Sequence, residues 1–302
     1  MRSVLRHPAR AALAGAAAIA FSAILYRKAD VSPETGAFFR CVYALPALWV
    51  VTRAEDRLLG PRPRELRRTA WAAGAFFAAD LLLWHHGIEA VGAGLATVLG
   101  NTQVVLVGLV AWALFRERPG APALAAIPIA VVGIVLISGV LEHGAYGENP
   151  PLGVLLGLLT GVAYSGFLLT LRHGAGGRRR VAGPLFDATL ASAVLTLPVG
   201  VALGRLDPVP GLESQAWLVL LALSSQVLGW LLITVSLPRL PAVATSLLLT
   251  AQPVATVVFA ALLLGERPSP LQLVGAATIL AGLVVASAGR RLRSPQVVPE
   301  RA

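Results

Sequence analysis

An aspartate and a tryptophan one helical turn apart lie in the middle of a long apolar stretch. Asp80 stands between Ala-Ala and Leu-Leu-Leu, and Trp84 follows four residues later, so both side chains share one face of a helix. An aspartate at the centre of a membrane helix costs about 2.5–3.5 kcal/mol, so it is expected to face a bundle interior or a wet cavity. A carboxylate beside an indole ring can bind an ammonium group or exchange a proton. The alternative is a structural role, in which Asp80 bonds to Arg40 or to the next apolar stretch.

The same pattern recurs 146 residues later, with a neutral side chain in place of the carboxylate. Gln226 and Trp230 align with Asp80 and Trp84. A purely structural ion pair needs no polar counterpart elsewhere in the chain, so the recurrence favours a functional role. We therefore predict that these four side chains lie along a substrate path, and that Asp80 binds a cation or a coupling proton.

Polar side chains in two other apolar stretches also align with each other, at an offset of 149 residues. Asn101 overlies Thr250, and Gln103 overlies Gln252. Amides inside membrane helices either join neighbouring helices or meet a polar substrate, and the alignment leaves both roles open. We include Asn101, Gln103 and Gln252 in the predicted substrate site. Tyr164, in a further stretch, is predicted to line the same cavity.

Two charged residues of opposite sign also occupy aligned positions. Arg40 aligns with Asp187 at an offset of 147 residues. Arg40 lies about six residues from the outer end of its stretch, or roughly 9 Å at 1.5 Å per residue. Its side chain can reach Asp80 or extend outward to the headgroups. We hypothesise that Arg40, Asp80 and Asp187 take part in gating and coupling, with Arg40 near the outer mouth and Asp187 near the inner one.

The composition shows which elements must hold these residues. Hydrophobic residues make up 56% of the 302 residues and charged residues only 13%, against about a quarter charged in a soluble domain. A membrane-spanning helix needs about 20 mostly apolar residues. Ten stretches qualify: 11–28, 34–52, 69–89, 92–113, 122–140, 152–171, 182–203, 215–236, 241–263 and 270–288. We therefore predict an all-α integral membrane protein with ten transmembrane helices in a lipid bilayer.

The distribution of positive charge sets the orientation. With the N-terminus inside, twenty of the 25 Lys and Arg residues fall in cytoplasmic segments and four in outside segments. The positive-inside rule therefore places both the N-terminus and the C-terminus in the cytoplasm. The same clustering accounts for the net charge of +10 without nucleic acid as a partner. The single cysteine, Cys41, excludes an intrachain disulfide.

The sequence contains an internal duplication whose period is far longer than that of a solenoid. Residues 93–119 align without a gap with residues 242–268, and both segments end in Glu-Arg-Pro. The predicted repeats cover residues 9–141 and 152–289, and a basic cytoplasmic tail covers 290–302. Each repeat has five helices, so the second enters the membrane in the opposite orientation. Inverted repeats of this kind place a substrate site near the midplane.

Glu117 and Glu266 are the acidic residues of the two Glu-Arg-Pro motifs. An inverted repeat places them on opposite sides of the membrane, where they cannot form an acid pair. We predict that both serve as turn or cap residues.

Several short motifs match a known family of membrane proteins. They are Phe39-Arg40, the segment 93–119, Gly133, and, most specifically, 240–246, Gln252-Pro253-Val254, 264–267, Gln272, Gly275 and Gly282. On these residues the chain resembles EamA-type members of the drug/metabolite transporter superfamily over nearly its whole length. It departs from the family at Phe21, where a tryptophan is common. The resemblance implies ten helices and secondary transport, often export of amino acids or other small metabolites.

Together these features predict a secondary transporter. We expect an exporter of a small polar or amphipathic metabolite, such as an amino acid, that works by alternating access between the two repeats. The alternatives are a drug or cation exporter of the same fold and a membrane-embedded enzyme. The sequence has no P-loop, G-x-S-x-G, H-E-x-x-H or multiple-histidine motif, so we predict no enzyme activity.

The remaining expectations concern ligands and location. No cofactor or metal is expected, and an interfacial role is predicted for His85 and His86, which no other ligand accompanies at metal-binding spacing. A proton is the candidate coupling ion. The oligomeric state is predicted to be a monomer or a homodimer. The location is the inner (plasma) membrane, which the chain crosses several times.

Overall fold

The computed structural model describes residues 8–103, 105, 106, 120–174, 180–236 and 242–288, and helices joined by short irregular connections make up these ranges. No strand occurs in those ranges. Each of the ten predicted apolar stretches overlaps a helix there. The prediction of an all-α fold is therefore confirmed for the described part of the chain.

The helices are numbered in chain order. The first half contains α1 (Pro8–Ala20), α2 (Ser22–Ala29), α3 (Pro33–Leu59), α4 (Arg64–Val91), α5 (Ala93–Gly100) and α6 (Ala121–Ile137). The second half contains α7 (Pro150–Gly174), α8 (Ala182–Ala202), α9 (Leu212–Leu221), α10 (Trp230–Ser236), α11 (Ala242–Leu264) and α12 (Pro270–Ala288). A π-helical segment, Ala222–Gly229, joins α9 to α10.

Five helical segments are long and apolar enough to cross a membrane. They are Arg10–Ala29, Pro33–Leu59, Pro150–Leu171, Ala182–Ala202 and Leu212–Val235. Shorter apolar segments occur at Leu124–Ile137, Ala251–Leu264 and Pro270–Ala286. These segments agree in length and composition with the predicted membrane helices.

The described connections between helices gather at two ends of the bundle. At one end, Arg62 in the α3–α4 connection contacts Gly183 and Asp187 at the start of α8. At the other end, Ser32 before α3 donates a hydrogen bond to the carbonyl of Arg205 after α8, at 2.5 Å. This arrangement is what helices that alternate in direction produce.

The turn between α4 and α5 depends on a single glycine. Gly92 has a φ of 87°, a left-handed conformation that glycine adopts without strain. A Cβ atom at Gly92 would also lie 2.8 Å from the Tyr146 ring and 3.0 Å from the Glu266 carboxylate. Both the backbone conformation and the close packing therefore require glycine at this position, which sets the angle at which α5 approaches the site.

The helices pack in pairs that relate the two halves. The helix α3 packs on α8, α5 on α11, and α6 on α12, whereas α4 packs on α7. The helices α1 and α2 contact α9, the π-helical segment and α10. If each helix is replaced by its counterpart in the other half, the pairs α3–α8, α5–α11 and α6–α12 remain the same pairs. The pair α4–α7 becomes the contact that α1 and α2 make with α9 and α10.

The contact between α6 and α12 shows the same relation at the level of atoms. A Cβ atom at Gly133 would lie 2.7 Å from the carbonyl oxygen of Gly275, and one at Gly282 would lie 3.5 Å from that of Ala126. Gly133 aligns with Gly282, and Ala126 with Gly275, both at the offset of 149 residues. One contact is therefore the counterpart of the other, and the Gly133 contact is the tighter of the two.

The single cysteine lies in the packing between α3, α4 and α8. Cys41 is 0% exposed and belongs to an apolar cluster with Leu48, Phe77 and Leu185. This cluster lies directly beside Arg40, and it fixes α3 against the two helices that approach the site.

Candidate functional site

A cavity lined by residues from both halves contains most of the predicted site residues. Its lining consists of Ile19, Ser22, Arg40, Phe77, Asp80, Leu81, Trp84, Thr97, Gly100, Asn101, Thr160, Tyr164, Trp230 and Gln252. Its empty volume, including the space at its opening, is about 510 Å³. The enclosed space is smaller than this figure, because the figure counts the open mouth as well.

Asp80 is the acidic residue of the cavity. The regular helix α4 places Asp80 and Trp84 on the same face, as predicted, and both line the cavity. The Asp80 side chain is only 8% exposed. Among the described residues, none forms a hydrogen bond or a salt bridge with its carboxylate. A bond from Asp80 to Arg40, or to the described residues of the stretch 92–113, is therefore not observed.

Arg40 is the basic residue of the cavity, and it is 3% exposed. Its Nε donates a hydrogen bond to Oε1 of Gln226 at 3.2 Å, and its Cζ lies 5.8 Å from the centre of the Trp84 ring. The side chain thus points into the bundle, and the expectation that it can extend to the headgroups is wrong for this structure. A cavity with a carboxylate and a guanidinium that are not bonded to each other can receive both charges of a dipolar solute.

Aromatic rings form the apolar part of the cavity wall. The Trp230 ring lies 6.0 Å from the Tyr164 ring and 5.3 Å from the Phe167 ring, both at steep angles. Phe77 stacks on Phe167 with a centroid separation of 4.6 Å. Trp84, Tyr164 and Trp230, predicted from the sequence, therefore lie around one cavity. Such rings can hold the apolar part of a solute or the face of a cation.

Polar side chains from α2, α5, α7 and α11 complete the lining. Asn101 and Gln252 line the cavity as predicted. Thr97 and Thr160 were missed. The Thr97 hydroxyl bonds to the carbonyl of Ala93 one turn earlier at 2.8 Å, a pattern that any membrane-helix threonine can adopt. A threonine in an apolar stretch therefore carries no sequence signal that separates a site residue from a packing residue.

Two predicted residues, Gln103 and Gln226, are absent from the lining. Oε1 of Gln226 accepts the hydrogen bond from Arg40, and its Nε2 donates to Oγ1 of Thr189 at 3.1 Å. Gln103 is 6% exposed, and its backbone carbonyl accepts a hydrogen bond from Oγ of Ser165 at 3.5 Å. The bonds that the structure shows for both residues are therefore made within the protein, next to the cavity.

Asp187 lies away from the cavity, in a network of charges at the start of α8. Its Oδ2 accepts a hydrogen bond from Nη1 of Arg62 at 2.5 Å and lies 3.7 Å from Nε of Arg67. Nε of Arg62 also lies 3.5 Å from Asp56, to which Arg180 donates a hydrogen bond at 2.9 Å. This network, which we call the Asp187 network, ties the α3–α4 connection to α8 at the end predicted to face the cytoplasm.

The same end of the bundle contains a helix cap that was not predicted. The Glu55 carboxylate accepts hydrogen bonds from the backbone N–H groups of Val181, Ala182 and Gly183 at 2.7, 3.1 and 2.8 Å. These groups have no partner within their own helix, and a carboxylate also complements the positive end of the helix dipole. The cap comes from a different helix, so no pattern near α8 could indicate it.

Glu266 caps a helix at the opposite end of the bundle. Its carboxylate accepts hydrogen bonds from the backbone N–H groups of Ala93 and Gly94 at 2.6 and 3.1 Å, and it is 5% exposed. The predicted cap role is therefore confirmed for Glu266, whereas Glu117 lies outside the described residues. Burial and the nearby Glu266 carboxylate raise the pKa of Tyr146, so its phenol stays neutral beside the cap.

The two adjacent histidines have different environments. His85 is 0% exposed, its ring stacks on Tyr26 at 3.9 Å, and its Nδ1 lies 3.1 Å from the carbonyl of Pro33. His86 is half-buried, with Nε2 at 3.0 Å from Oε1 of Glu34. The His85 ring is fully enclosed and lies 5.3 Å from the Trp84 ring, and its interfacial role stays a prediction. Within the described ranges, no three His, Cys, Asp or Glu side chains come together as metal ligands would.

The apolar helices are those of an integral membrane protein, and they enclose a cavity lined by polar and aromatic side chains from both halves. The family model for the EamA-like transporter family matches residues 9–139 and 151–288. These two matches cover most of the chain, so the chain belongs to the EamA-like transporter family, within the drug/metabolite transporter superfamily. Members of this family are transporters and not enzymes, and the chain is accordingly a membrane transporter.

Two individual proteins are similar to this chain. Uncharacterized protein PA1977 of Pseudomonas aeruginosa is 32% identical over 232 residues, which are 76% of this chain and 77% of that protein. A protein known from a crystal structure superposes with a TM-score of 0.63 at 16% identity, over 96% of this chain and 99% of its own. The second likeness shows a shared fold alone.

Proposed function

We propose that the protein is a secondary transporter that exports a small amphipathic metabolite, such as an amino acid, by alternating access between two inverted five-helix repeats. The observation that carries this proposal is that one buried cavity contains two opposite charges that are not bonded to each other. The export direction, the plasma-membrane location and a monomeric or homodimeric state rest on the family resemblance and on the distribution of arginines.

The two charges point to a dipolar solute. Asp80 and Arg40 are both more than nine-tenths buried, and they form no salt bridge with each other in the described part of the chain. Buried charges are strongly unfavourable unless they are paired or hydrogen-bonded. A zwitterion would satisfy this requirement, with its ammonium group at Asp80 and its carboxylate at Arg40. When the cavity is empty, a proton on Asp80 would neutralise its carboxylate and so remove one of the two buried charges.

The aromatic wall indicates the rest of the solute. The two charged side chains share the cavity lining with four aromatic rings, which offer flat apolar surface: Phe77, Trp84, Tyr164 and Trp230. This surface suits an aliphatic or aromatic side chain better than a strongly polar one. An amphipathic amino acid matches both the charges and the apolar wall.

The packing of the helices supports the two-repeat organisation. Exchanging the halves maps the main helix contacts onto one another, and the Gly133–Gly275 contact has its counterpart at Gly282 and Ala126. Two halves packed in this way can rock against each other around a site between them. The family match also divides the chain into two parts, at residues 9–139 and 151–288.

The Asp187 network is a candidate for the gate on the cytoplasmic side. Arg62 connects Asp187 in α8 with Asp56 in α3 at the end predicted to be inside. Opening the cavity to the cytoplasm would require α8 to separate from the α3–α4 connection, which breaks these bonds. The network therefore stabilises the state that is closed to the inside.

The solute class can be tested with three molecules that share one skeleton. L-phenylalanine carries both charges, phenethylamine carries only the cation, and 3-phenylpropionate carries only the anion. Binding to the purified protein would be measured by calorimetry. A charged hydrogen bond contributes about 1.5–3 kcal/mol, so we expect each single-charge analogue to bind about ten- to a hundredfold more weakly than L-phenylalanine.

Two variants then assign the charges to residues. Asp80→Asn should weaken the binding of L-phenylalanine and phenethylamine but leave that of 3-phenylpropionate little changed. Arg40→Met should instead weaken the binding of L-phenylalanine and 3-phenylpropionate. Equal affinity of the wild type for all three molecules, or no binding of any of them, would contradict a zwitterion site.

A drug or cation exporter of the same fold is the second candidate. It is favoured by the closeness of Asp80 to the rings of Trp84, Tyr164 and Trp230, since aromatic faces and a carboxylate together bind organic cations. Tighter binding of phenethylamine than of L-phenylalanine would support this candidate and would contradict the amino-acid one.

The direction of transport and its coupling need sealed membranes. Everted and right-side-out vesicles, with radiolabelled L-phenylalanine supplied on the outside, would be compared with and without an imposed proton gradient. Export driven by protons predicts accumulation in everted vesicles that collapses when the gradient is removed. Accumulation only in right-side-out vesicles would contradict export.

The gate can be tested by labelling a thiol in the cavity. A cysteine introduced at Ser22, which lines the cavity, would be exposed to a membrane-impermeant maleimide from the cytoplasmic side. Arg62→Gln removes the bond to Asp187 and should accelerate this labelling. Arg68→Gln is the control, because Arg68 is exposed and forms no ion pair among the described residues. Equal rates in both variants would contradict the gate.

A further inference from the structure

Two opposite charges that share one buried cavity are expected to combine. Attraction between charges strengthens as water is removed, and an unpaired buried charge is costly. Yet Arg40 and Asp80, which both line the cavity, form no salt bridge in the described part of the chain. Another contact must therefore hold the Arg40 guanidinium in its position.

The hydrogen bond from Arg40 to Gln226 provides that restraint. Nε of Arg40 donates to Oε1 of Gln226 at 3.2 Å, and the guanidinium lies over the Trp84 ring. Gln226 is 0% exposed and outside the cavity lining, so it acts on a solute only through Arg40. A bond to a charged donor is among the stronger hydrogen bonds in proteins.

Thr189 binds the end of the Gln226 amide that faces away from Arg40. Nε2 of Gln226 donates to Oγ1 of Thr189 at 3.1 Å, and Thr189 is 0% exposed. Arg40 sets the orientation of the amide, because its guanidinium can only donate and a reversed amide would bring two donors together. The bond to Thr189 therefore anchors the far end of the side chain and holds the acceptor oxygen beside the guanidinium.

The local helix geometry explains why Gln226 has this role when its counterpart Asp80 faces the cavity. Gln226 lies in the middle of the π-helical segment Ala222–Gly229, whereas Asp80 lies in the regular helix α4. A π-helix has a wider turn, so its residues advance around the axis in smaller steps than those of an α-helix. Gln226 consequently points in a different direction from Asp80, although the aligned Trp84 and Trp230 both line the cavity.

We propose that Gln226, anchored by Thr189, is a positioning residue that holds the Arg40 guanidinium in the cavity and away from Asp80. This role keeps both charges available to a solute. It deepens the proposed function, because a zwitterion can bind only while Arg40 and Asp80 are not bonded to each other.

The first test needs no substrate. The thermal unfolding midpoint would be measured for Arg40→Met, Asp80→Asn and their combination, in the wild-type and in the Gln226→Leu background. Without Gln226, Arg40 is free to pair with Asp80. In the Gln226→Leu background, the midpoint change of the double variant should then differ from the sum of the two single changes. This difference should be at least about 2 °C larger than in the wild-type background.

Ser225→Ala supplies a matched background for this measurement. Ser225 lies in the same π-helical segment, but its hydroxyl bonds to the carbonyl of Ala18 at 2.9 Å and does not contact Arg40. It should leave the additivity of the Arg40 and Asp80 substitutions unchanged. The same additivity in the Gln226→Leu and wild-type backgrounds would overturn the proposal, whether or not any amino acid binds.

The second test uses L-phenylalanine, phenethylamine and 3-phenylpropionate as the ligands. Gln226→Leu should weaken all three by about tenfold, because the new pair of Arg40 and Asp80 occupies both charges. Adding Asp80→Asn should restore the affinity for 3-phenylpropionate, and adding Arg40→Met should restore that for phenethylamine. A packing defect at Gln226 would lower all three affinities, and neither second substitution would rescue them.

Thr189→Val extends the test to the residue behind Gln226. It should reproduce the Gln226→Leu effects in weaker form, with a two- to threefold loss of affinity. Thr196→Val is its control, because Thr196 lies in the same helix and bonds only to carbonyls of its own helix. If no ligand binds the wild type, the solute class proposed above fails, and the unfolding measurements alone decide the role of Gln226. Equal effects of the two threonine substitutions would count against Thr189.

Discussion

The helix that contains Asp80 and the segment that contains Gln226 share a sequence pattern but differ in structure. Each carries a tryptophan, a polar residue nine positions later and a second tryptophan after four more. In α4 the polar residue faces the cavity, whereas in the π-helical segment it bonds to Arg40 and Thr189. An alignment of the two halves therefore predicts where a residue lies along its helix, but not the direction in which it points.

The largest expected difference between the two positions is in transport itself. Asp80→Asn should reduce proteoliposome flux of L-phenylalanine to the level of empty vesicles, because the variant loses the carboxylate that binds the ammonium group or proton. Adding Gln226→Asp should not restore flux, since that position does not face the cavity. Normal flux with unaltered pH dependence in Asp80→Asn would refute the assignment. Recovery in the double variant would show that the two positions are interchangeable.

The two aligned tryptophans should differ mainly in stability. Trp230 is 6% exposed and packs against Tyr164 and Phe167, so Trp230→Ala should lower the free energy of unfolding by about 3–5 kcal/mol. Trp84→Ala should affect stability less and ligand affinity more, because Trp84 lies beside Asp80 and Arg40. Thermal unfolding and ligand titration of both variants check this. Trp49→Ala, at a 48% exposed side chain, is the control.

The aligned glycines of α6 and α12 test how closely the halves correspond. A Cβ atom at Gly133 would lie 2.6 Å from Cγ1 of Ile279 and 2.7 Å from the backbone of Gly275, so Gly133→Ala should cost about 1–3 kcal/mol. At Gly282 the nearest atom would lie at 3.3 Å, on the Ile129 side chain, and Gly282→Ala should be nearly neutral. Comparing the two unfolding midpoints would sharpen the comparison. Equal losses would mean that the two contacts are equally tight.

The smallest expected effect concerns the aligned glutamates. Glu266→Ala removes the cap on Ala93 and Gly94, and helix caps contribute about 0.5–2 kcal/mol. The alignment predicts a similar loss for Glu117→Ala, although Glu117 lies outside the described residues. Unfolding curves of both variants measure the two losses. No loss in Glu117→Ala would show that the two halves differ at this position as well.

The sequence was sufficient for the features that depend on local composition. The apolar stretches predicted the helices, and the polar residues inside them predicted Asp80, Trp84, Asn101 and Tyr164 as neighbours of one cavity. These predictions worked because a charge or an amide in a membrane helix has few acceptable environments, and a cavity is one of them.

The features that the sequence did not predict depend on contacts between helices far apart in the chain. The partner of Arg40 is 186 positions away, and the cap that Glu55 provides for α8 spans more than 120 positions. Gln226 was predicted to line the cavity because the alignment assumes the same helix geometry in both halves. Hydrophobic pattern alone does not distinguish a π-helical segment from an α-helix, since both are equally apolar.

The burial of Cys41 gives experimenters a built-in reporter. It is the single thiol in the sequence, and it is fully enclosed between α3, α4 and α8, so the wild-type chain should react slowly with maleimides. Cysteines introduced elsewhere can therefore be followed without first removing the native one. If α3 separates from α4 and α8 during the transport cycle, alkylation of Cys41 will accelerate in the presence of substrate. The alkylation rate of the wild-type protein would then report the conformational change.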